Sequence, residues 1–338
     1  MIFASGSPVT QDTTTTVLIT GASGFVGRQL CAEAMQRGLH VIGASRGAGN
    51  MPSCVRSVAV GEINGETNWE PALVGVDVVV HLAARVHVMK DVAVDPLAEF
   101  LKVNQQGTER LARQAARAGV KRLVYVSSIK VHGENSRNNC CGHDGGGRFV
   151  ESDTPHPLDP YGMSKWQAEQ SLHRIAGETG LEIVIIRPPL VYGPEVKGNI
   201  AHMLGVLSKR IPLPFASVNN RRSLLYVGNL ADAIITCMSH PDAAGQTYLL
   251  SDGEDVSTPE LLRELAAGMG VPVYLFPCPP KLLWLAGKLT GRTQQLERLL
   301  GSLQVDSDKI RNDLNWVPPY SLRHGLRATA EWYRTKHT

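Results

Sequence analysis

Short runs of apolar residues alternate with longer amphipathic stretches along the first part of the chain. The runs are rich in Val, Ile and Leu, which is typical of strands buried on both faces of a parallel sheet. The predicted strands span 16–20, 40–44, 57–60, 76–84 and 122–126, and the predicted helices span 28–37, 96–119 and the stretch after Pro160. We therefore predict an α/β fold with a doubly wound parallel sheet.

The pattern changes beyond Pro194, where shorter elements are separated by prolines. Pro259 follows Ser257 and Thr258 at one predicted helix start, as capping preferences favour. The predicted helices here span 200–209, 229–238, 258–269 and 321–334, and the predicted strands span 246–250 and 273–276. These elements predict a second, smaller mixed α/β domain that packs closely against the first.

Composition and charge narrow the class of protein. The 338 residues include 43% hydrophobic and 19% charged residues, which suits one large globular domain or two unequal ones. The formal charge is only +3, and no dense block of Lys and Arg is present, so we expect no nucleic-acid partner.

The six cysteines show no metal-binding or disulfide spacing. This favours a reducing cytoplasm, with Cys31, Cys54 and Cys237 as small core residues. No apolar run is long enough to span a bilayer, so we predict no integral membrane segment. Docking of the segment around Leu282 on a membrane surface stays open.

Three glycines follow the first predicted strand with the spacing G-x-x-G-x-x-G and lead into a predicted helix. Glycines at this spacing let the backbone turn tightly and approach a pyrophosphate, which then lies at the helix N-terminus. The alternative is a glycine-rich turn without a ligand. We predict a Rossmann dinucleotide site whose loop contacts are Gly21, Ser23, Gly24, Phe25, Val26 and Gly27.

Ser45 and Arg46 end the second predicted strand. An acidic residue there would bind the ribose 2′-hydroxyl of NAD, whereas a hydroxyl followed by arginine suits a 2′-phosphate. We therefore favour NADP(H), with NAD(H) as the alternative, although Arg46 could instead be a solvated loop charge or stack on adenine. The other predicted cofactor contacts are Glu62 and Ile63 at the adenine and the small strand-end residues Leu82, Ala83 and Ala84.

Tyr161 and Lys165 are four residues apart and share one face of a predicted helix. A nearby ammonium favours the phenolate and brings a tyrosine into range for proton transfer. Ser128 ends a predicted strand and could hydrogen-bond the same substrate oxygen. We expect His81 to be a satisfied core histidine and Asn104 to tie its helix to a strand.

These motifs together resemble the extended short-chain dehydrogenase/reductases, the NAD-dependent epimerase/dehydratase family. Within that family the chain is similar to nucleotide-sugar 4-epimerases and 4-keto-sugar reductases of bacterial polysaccharide synthesis. The residues that carry the resemblance are 20–27 (TGASGFVG), 81–84 (HLAA), 127–133 (SSIKVHG) and 160–165 (PYGMSK).

The resemblance implies a role for each candidate residue. Ser128, Tyr161 and Lys165 would form the catalytic triad, with Tyr161 as acid and base, Ser128 orienting the sugar and Lys165 also binding the nicotinamide ribose. Pro188 would lie beside the nicotinamide, while Asn199 and Arg222 would bind the substrate diphosphate. The helices that hold Asn104 and Tyr161 could form the four-helix dimer interface common among relatives, so the resemblance also implies a homodimer.

Some positions depart from the epimerase pattern. Leu190 replaces an asparagine, Ser223 replaces an acidic residue, and Leu303 stands at the position that gates sugar size. The stretch 134–149 is predicted to be a mobile insertion over the site. Within it we favour a glycine-rich loop over a metal site made of Cys140, Cys141, His143 and Asp144, and we predict no metal.

The sequence thus predicts three regions: a disordered leader over 1–15, a dinucleotide-binding domain over 16–190, and a mainly substrate-binding domain over 191–338 from which one strand could return to the sheet. Our first hypothesis is NADPH-dependent reduction of a UDP-4-keto-6-deoxy-N-acetylhexosamine. The alternative is a UDP-glucose or UDP-N-acetylglucosamine 4-epimerase with tightly bound NAD. A non-catalytic dinucleotide sensor would have no reason to keep both Tyr161 and Lys165.

Overall fold

The computed structural model describes residues 14–47, 56–86, 95–136, 147–289 and 293–337. The strands are β1 (Thr16–Thr20), β2 (His40–Ser45), β3 (Arg56–Ala59), β4 (Val78–His81), β5 (Arg122–Val126), β6 (Arg148–Phe149), β7 (Glu182–Arg187), β8 (Leu190–Tyr192), β9 (Arg222–Tyr226), β10 (Thr247–Leu249), β11 (Asp255–Val256) and β12 (Gln304–Val305). The α-helices are α1 (Phe25–Gln36), α2 (Glu70–Leu73), α3 (Pro96–Leu101), α4 (Gly107–Arg117), α5 (Pro160–Thr179), α6 (Asn199–Ser208), α7 (Val227–Ser239), α8 (Thr258–Met269), α9 (Pro280–Leu289), α10 (Thr293–Leu300), α11 (Asp308–Leu314) and α12 (Leu322–His337).

Seven of the strands form one parallel sheet in the order β10-β7-β5-β4-β1-β2-β3. The order reverses between β1 and β4, and such a switch point leaves a crevice at the carboxyl ends of the strands. The sheet confirms the doubly wound fold. It also places the glycine loop after β1 and the small residues after β4 at the same edge.

Alternate residues of each central strand enter two different cores, because successive side chains in a strand point to opposite faces. In β1, Val17 and Ile19 pack into one buried cluster and Leu18 into the other. In β4, Val80 and Val79 divide in the same way. Both faces are therefore covered, as the continuous apolar runs predict.

A smaller part of the molecule holds the sheet β11-β9-β8 and the parallel pair β12-β6. Its core lies between the sheet β11-β9-β8 and the helices α6, α8 and α12, with Leu204, Leu265 and Leu326 fully buried. The strand β10 pairs with β7 and so belongs to the large sheet. The division of the chain at residue 190 stays a prediction.

Two predicted elements differ from the observed ones. The helix expected over 96–119 is three segments, since a π-helical turn at Lys102–Gln106 separates α3 from α4. The strand expected over 273–276 does not form, and this stretch makes only an isolated bridge between Leu213 and Leu275. Capping at the start of α8 is as predicted, because Ser257 and Glu260 form a capping box.

The C-terminal end of the stretch 134–149 differs from the predicted mobile loop. Phe149 is buried, and β6 pairs with β12, so this end of the stretch is ordered structure rather than a mobile loop. Residues 137–146, and with them the four residues weighed as a metal site, lie outside the described residues, as do the leader residues 1–13 and Cys54. Cys31 and Cys237 are fully buried, as predicted.

Among the helices in the described ranges, none combines the length and the apolar character needed to cross a lipid bilayer.

Candidate active site

The loop between β1 and α1 has room for no side chain at its first and last glycines. Gly21 has φ 68°, and a Cβ built on it would lie 3.0 Å from the Ala83 nitrogen. A Cβ on Gly27 would lie 2.2 Å from the Gly21 oxygen. Gly24 is the N-cap of α1, so the free N–H groups of the first helical turn follow the loop directly. This close packing fits a dinucleotide pyrophosphate at the helix N-terminus.

A chain of hydrogen bonds fixes the end of β4 to this loop. Thr108 donates to the Asn104 carbonyl (2.6 Å), so its hydroxyl accepts from His81 Nε2 (3.0 Å). His81 Nδ1 then accepts from the Thr20 hydroxyl (2.7 Å), which accepts from the Ala83 N–H (3.1 Å). Burial, assisted by the charge of Lys165, lowers the pKa of His81 to about 3. His81 is therefore neutral and structural, as predicted.

Asn104 lies in the π-helical turn and holds the segment that follows β4. Its side-chain oxygen accepts from the Arg85 N–H (2.8 Å), and its amide donates to the Arg85 carbonyl (3.0 Å) and to Ser164 (2.9 Å). These bonds confirm the predicted structural tie. They also connect the turn to α5, which carries Tyr161 and Lys165.

The residues predicted to contact the 2′-phosphate and the adenine lie at neighbouring strand ends, because the Val60 N–H donates to the Ser45 carbonyl (2.9 Å). The Ser45 hydroxyl donates to the Gly47 carbonyl (2.6 Å), while Arg46 and Glu62 are exposed. Ile63 is half-buried and packs against the core. The preference of this edge for a 2′-phosphate stays a prediction.

Ser128 and Tyr161 lie at the carboxyl edge of the sheet. Ser128 follows β5 and caps the 3-10 turn 129–131, with its hydroxyl accepting from the Lys130 N–H (3.2 Å). The Ile129 N–H donates to the Pro188 carbonyl (2.9 Å), which brings the predicted nicotinamide-side residue next to Ser128. Tyr161 is in the first turn of α5, one turn before Lys165.

The Lys165 ammonium is buried beneath the site. It donates to the Val126 carbonyl (2.9 Å) and lies 4.6 Å from the centre of the Tyr125 ring and 6.0 Å from that of Tyr161. Burial lowers the pKa of Lys165 to about 7, although the carboxylate of Glu169 acts in the opposite direction. A lysine with this pKa can gain or lose a proton near neutral pH.

The pKa of Tyr161 is raised to about 12. Burial is the main cause, the Asp159 carboxylate adds to it, and a hydrogen bond with Ser128 acts in the opposite direction. This is opposite to the expected lowering by Lys165. The difference arises because burial and the Asp159 carboxylate together outweigh the hydrogen bond with Ser128, the one cause that favours the phenolate.

A buried polar cluster under the triad escaped sequence reasoning. Arg187 in β7 pairs with Glu169 in α5 (2.5 Å), and Glu169 also accepts from the Ser127 hydroxyl (2.5 Å). Arg187 Nη1 donates to His132 Nε2 (2.8 Å), and burial together with Arg187 lowers the pKa of His132 to about 3. Breaking such a buried pair costs about 3–5 kcal/mol. The cluster therefore fixes α5 against β5 and β7.

A second missed group lies at the start of α5. Asp159 is the N-cap of the helix and accepts from the Gly162 N–H (2.7 Å). The Lys130 ammonium bridges Asp159 and Glu134. Asp directly before a proline is a recognisable helix start, so Asp159 could have been found from the sequence, whereas the ion pair with Lys130 could not.

The substrate-side residues lie in the smaller part of the molecule. Arg222 opens β9, bridges to Leu303 and donates to the Gly301 carbonyl (3.0 Å). Leu303 shares a buried cluster with Ile129, the neighbour of Ser128. The structure thus brings Arg222 and Leu303 towards the triad, while Asn199 is exposed at the start of α6.

The comparisons with known proteins agree with this arrangement. A model described as the NAD dependent epimerase/dehydratase family matches residues 17–251. A UDP-glucose 4-epimerase from Vibrio cholerae is 43% identical over 317 residues, which cover 93% of this chain and 94% of that protein. The chain belongs to this family of enzymes. The resemblance in the sequence motifs is thereby confirmed.

Another relative of this chain is named for a different substrate. An N-acetyl-alpha-D-glucosaminyl-diphospho-ditrans,octacis-undecaprenol 4-epimerase from Escherichia coli O157:H7 is 27% identical over 333 residues, with 94% of each chain covered. Two solved structures share the fold. A UDP-glucose 4-epimerase from Thermotoga maritima with UDP-glucose has a TM-score of 0.72 at 22% identity (96% and 100% covered), and a UDP-glucuronic acid 4-epimerase from Bacillus cereus with UDP-glucuronic acid and NAD has 0.75 at 21% (95% and 100%).

The positions that depart from the epimerase pattern have defined places in this family member. Leu190 opens β8 and is partly exposed. Ser223 donates to Asp255 (2.5 Å) and accepts from the Val305 N–H (2.9 Å), so it joins β9 to two further segments. The residue therefore has a structural use independent of any substrate.

Proposed function

We propose that the protein is a UDP-sugar 4-epimerase that retains NAD(H). The observation that carries the proposal is that Ser128 and the helix of Tyr161 and Lys165 lie at the sheet edge that also holds the glycine loop, in a chain 43% identical to a UDP-glucose 4-epimerase over nearly its full length. The same identity moves the reductase, our first hypothesis from sequence, to second place. It also favours NAD(H), since a 4-epimerase needs no exchange of spent cofactor.

The triad would move one proton in each half of the reaction. When bound, an oxidised nicotinamide accepts the hydride that leaves sugar C4 and gives it back later, so no net redox change occurs. Tyr161 takes the proton of the sugar 4-hydroxyl, and Ser128 hydrogen-bonds the same oxygen. After the 4-keto sugar has rotated to present the opposite face of C4, Tyr161 would return the proton to O4 and so yield the C4 epimer.

Lys165 supports this proton transfer by its charge. Its pKa near 7 lies close to the pH of the cell, so the forming phenolate of Tyr161 would hold a proton on the ammonium. The hydrogen bond of Ser128 to Tyr161 favours the phenolate further. Together they oppose the burial that raises the pKa of the free tyrosine.

On the substrate side we propose that Arg222 and Asn199 bind the diphosphate and that Leu303 limits the size of the sugar. A guanidinium suits paired phosphates, and Arg222 lies in the part of the molecule that also holds Leu303. We also propose that the cofactor binds along the carboxyl edge of the large sheet. Its contacts there would be the glycine loop, Ser45, Arg46, Glu62, Ile63, residues 82–84 and Pro188.

A second candidate is NADPH-dependent reduction of a UDP-4-keto-6-deoxy sugar. It is favoured by Ser45 and the exposed Arg46, which suit a 2′-phosphate better than a 2′-hydroxyl. For either reaction we propose a cytoplasmic homodimer that pairs through α4 and α5. Charged pairs such as Arg113 with Glu178 already join these two helices within one chain (2.7 Å).

The experiment follows C4 configuration by NMR in UDP-glucose and in UDP-N-acetylglucosamine incubated with the purified protein. We expect the C4 epimers to appear without added cofactor, and NAD(H) to be released when the protein is denatured. Consumption of NADPH with a UDP-4-keto-6-deoxy sugar, without epimer formation, would instead establish the reductase. Cofactor binding with no turnover of any nucleotide sugar would instead favour a non-catalytic dinucleotide sensor.

A further inference from the structure

Large apolar side chains are exposed together at one place in the smaller part of the molecule. Six of them, in three neighbouring stretches of chain, are between 46% and 79% exposed. We call this set the apolar surface: Ile211, Tyr274, Phe276, Leu282, Leu285 and Leu289. Contiguous exposed apolar surface is uncommon on a protein that acts alone in water.

The helix α9 presents an apolar face outward. Leu282, Leu285 and Leu289 are spaced by three and four residues, so they lie on one side of the helix, and each is more than half exposed. Leu283 lies on the other side and is buried. The outward leucines are therefore not needed to hold the helix on the protein.

The remaining members are joined to this helix through the backbone. The Leu213 N–H donates to the Tyr274 carbonyl (2.8 Å), and the Phe276 N–H donates to the Leu213 carbonyl (3.0 Å). These bonds bring Ile211 near Tyr274 and Phe276, which lead directly into α9. Aromatic rings with a polar tip and exposed leucines are typical of residues at a membrane interface.

Exposed basic side chains border the apolar surface, although α10, which packs against α9, also carries the exposed Glu297. Lys209 and Arg210 are exposed just before Ile211. Lys288 is exposed on α9, beside Leu289. Basic residues that border an apolar helix face complement an anionic surface.

We propose that the apolar surface docks on a lipid bilayer that contains anionic phospholipids. The leucines of α9 enter the boundary between headgroups and acyl chains, and the basic residues contact the headgroups. The helix lies in the interface and does not span the bilayer. This docking does not depend on the proposed epimerase activity, and it is remote in the chain from α4 and α5, where we expect the dimer.

The test is sedimentation of the full-length protein with vesicles of phosphatidylglycerol and phosphatidylcholine in equal parts, or of phosphatidylcholine alone. We expect binding to the anionic vesicles that weakens as salt is raised. Replacing all three leucines (Leu282→Ser, Leu285→Ser and Leu289→Ser) should reduce the partition coefficient by about tenfold or more, and Lys288→Glu should reduce it less.

The matched control replaces exposed apolar residues elsewhere, Val74→Ser with Val317→Ser, which should leave vesicle binding unchanged. Hydrogen exchange on the unsubstituted protein gives a second readout, since anionic vesicles should slow exchange of the amides in 282–289. Equal binding by the parent and the leucine variant, or no slowing of exchange, overturns the proposal. So does concentration-dependent self-association that the leucine variant loses, which would make this surface a contact between two chains.

Discussion

Tyr161 lies close to an ion pair that acts on its proton. Asp159 caps the helix of Tyr161 and raises the pKa of the phenol, and Lys130 neutralises Asp159 through a direct contact. The Lys130 N–H donates to the Ser128 hydroxyl (3.2 Å), so this residue connects Ser128 with the N-cap of the helix that holds Tyr161. The pair is therefore placed to tune the pH at which Tyr161 acts as a base.

Changing the two partners should move the pH dependence in opposite directions. Asp159→Asn keeps a capping side chain but removes the negative charge, so the rise of kcat/KM with pH should begin at lower pH. Lys130→Met leaves the carboxylate unpaired, so the rise should begin at higher pH. We expect shifts of about one pH unit or less, measured as kcat/KM against pH. Lys130→Arg should restore the parent profile, and movement of both variants in one direction would contradict this role.

Tyr161→Phe should reduce kcat by about 10²–10⁴-fold, because the ring remains while the group that transfers the proton is lost. The retained dinucleotide, measured after denaturation, should be unchanged. Tyr274→Phe is the matched control, since this tyrosine is exposed on the apolar surface, and its kcat should equal that of the parent. Near-normal turnover by the Tyr161 variant would remove Tyr161 from the mechanism.

At the scale of elements, two glycines in helices have opposite surroundings. A Cβ on Gly27 in α1 would lie 2.2 Å from the Gly21 oxygen and 2.7 Å from the Ala22 Cα, whereas a Cβ on Gly177 in α5 would meet nothing within 4 Å. Gly27→Ala should therefore displace the loop and lower dinucleotide content severalfold. Gly177→Ala should stabilise the protein by about 0.5–1 kcal/mol, as alanine is the better helix former.

Both glycine variants are checked by urea unfolding and by the dinucleotide released on denaturation. Gly177→Ala serves as the control for the first, since it adds the same methyl group to a helix without touching the loop. Normal dinucleotide content in the Gly27 variant would show that the loop adapts. In that case the loop would not require a glycine at position 27 for steric reasons.

Elements whose cause is local could be predicted from the sequence. The loop 21–27 is encoded by glycine spacing between a strand and a helix, and the register of Tyr161 with Lys165 by helical periodicity. The π-helical turn at Lys102–Gln106 could not, and the bonds that Asn104 makes from it reach Arg85 and Ser164, which are 19 and 60 positions away. Lys130 with Asp159, and Ser127 with Glu169, join residues 29 and 42 positions apart, so no local pattern signals them.

At the scale of the whole molecule, the burial of a side chain depends on the complete fold, so local sequence patterns do not predict it. The depth of Tyr161 and Lys165 is set by the packing of α5 against the sheet, and it determines both pKa values. The catalytic residues and their spacing can be predicted from the sequence, but the direction in which the pKa of Tyr161 moves cannot. The return of β10 to the large sheet is likewise a product of the complete fold.

The buried Lys165 should make the stability of the molecule depend on pH. Its pKa falls from 10.5 in the unfolded chain to about 7, so between these values the unfolded chain binds more protons and stability rises with pH. Below pH 7 both states bind the proton, so the folded protein carries the whole free-energy cost of burying the ammonium. Lys165→Met should therefore be more stable than the parent at pH 7, by about 1–3 kcal/mol, and the advantage should shrink as pH approaches 10.

Urea midpoints near pH 7 and near pH 10 measure this difference. Lys288→Met is the control, since Lys288 is exposed and its removal should change stability equally little at both values. A Lys165 variant that is less stable than the parent at pH 7, or an advantage that does not shrink, would show that the buried ammonium is not the costly group.

The most direct test of the central claim uses a UDP-sugar substrate with deuterium at C4. If the protein is an epimerase that returns the hydride it removed, the C4 epimer will carry the deuterium at C4, and added unlabelled cofactor will not dilute it. Loss of the label to solvent, or its accumulation on added NADP⁺, would contradict the account. The second result would make the protein an oxidoreductase that exchanges its cofactor.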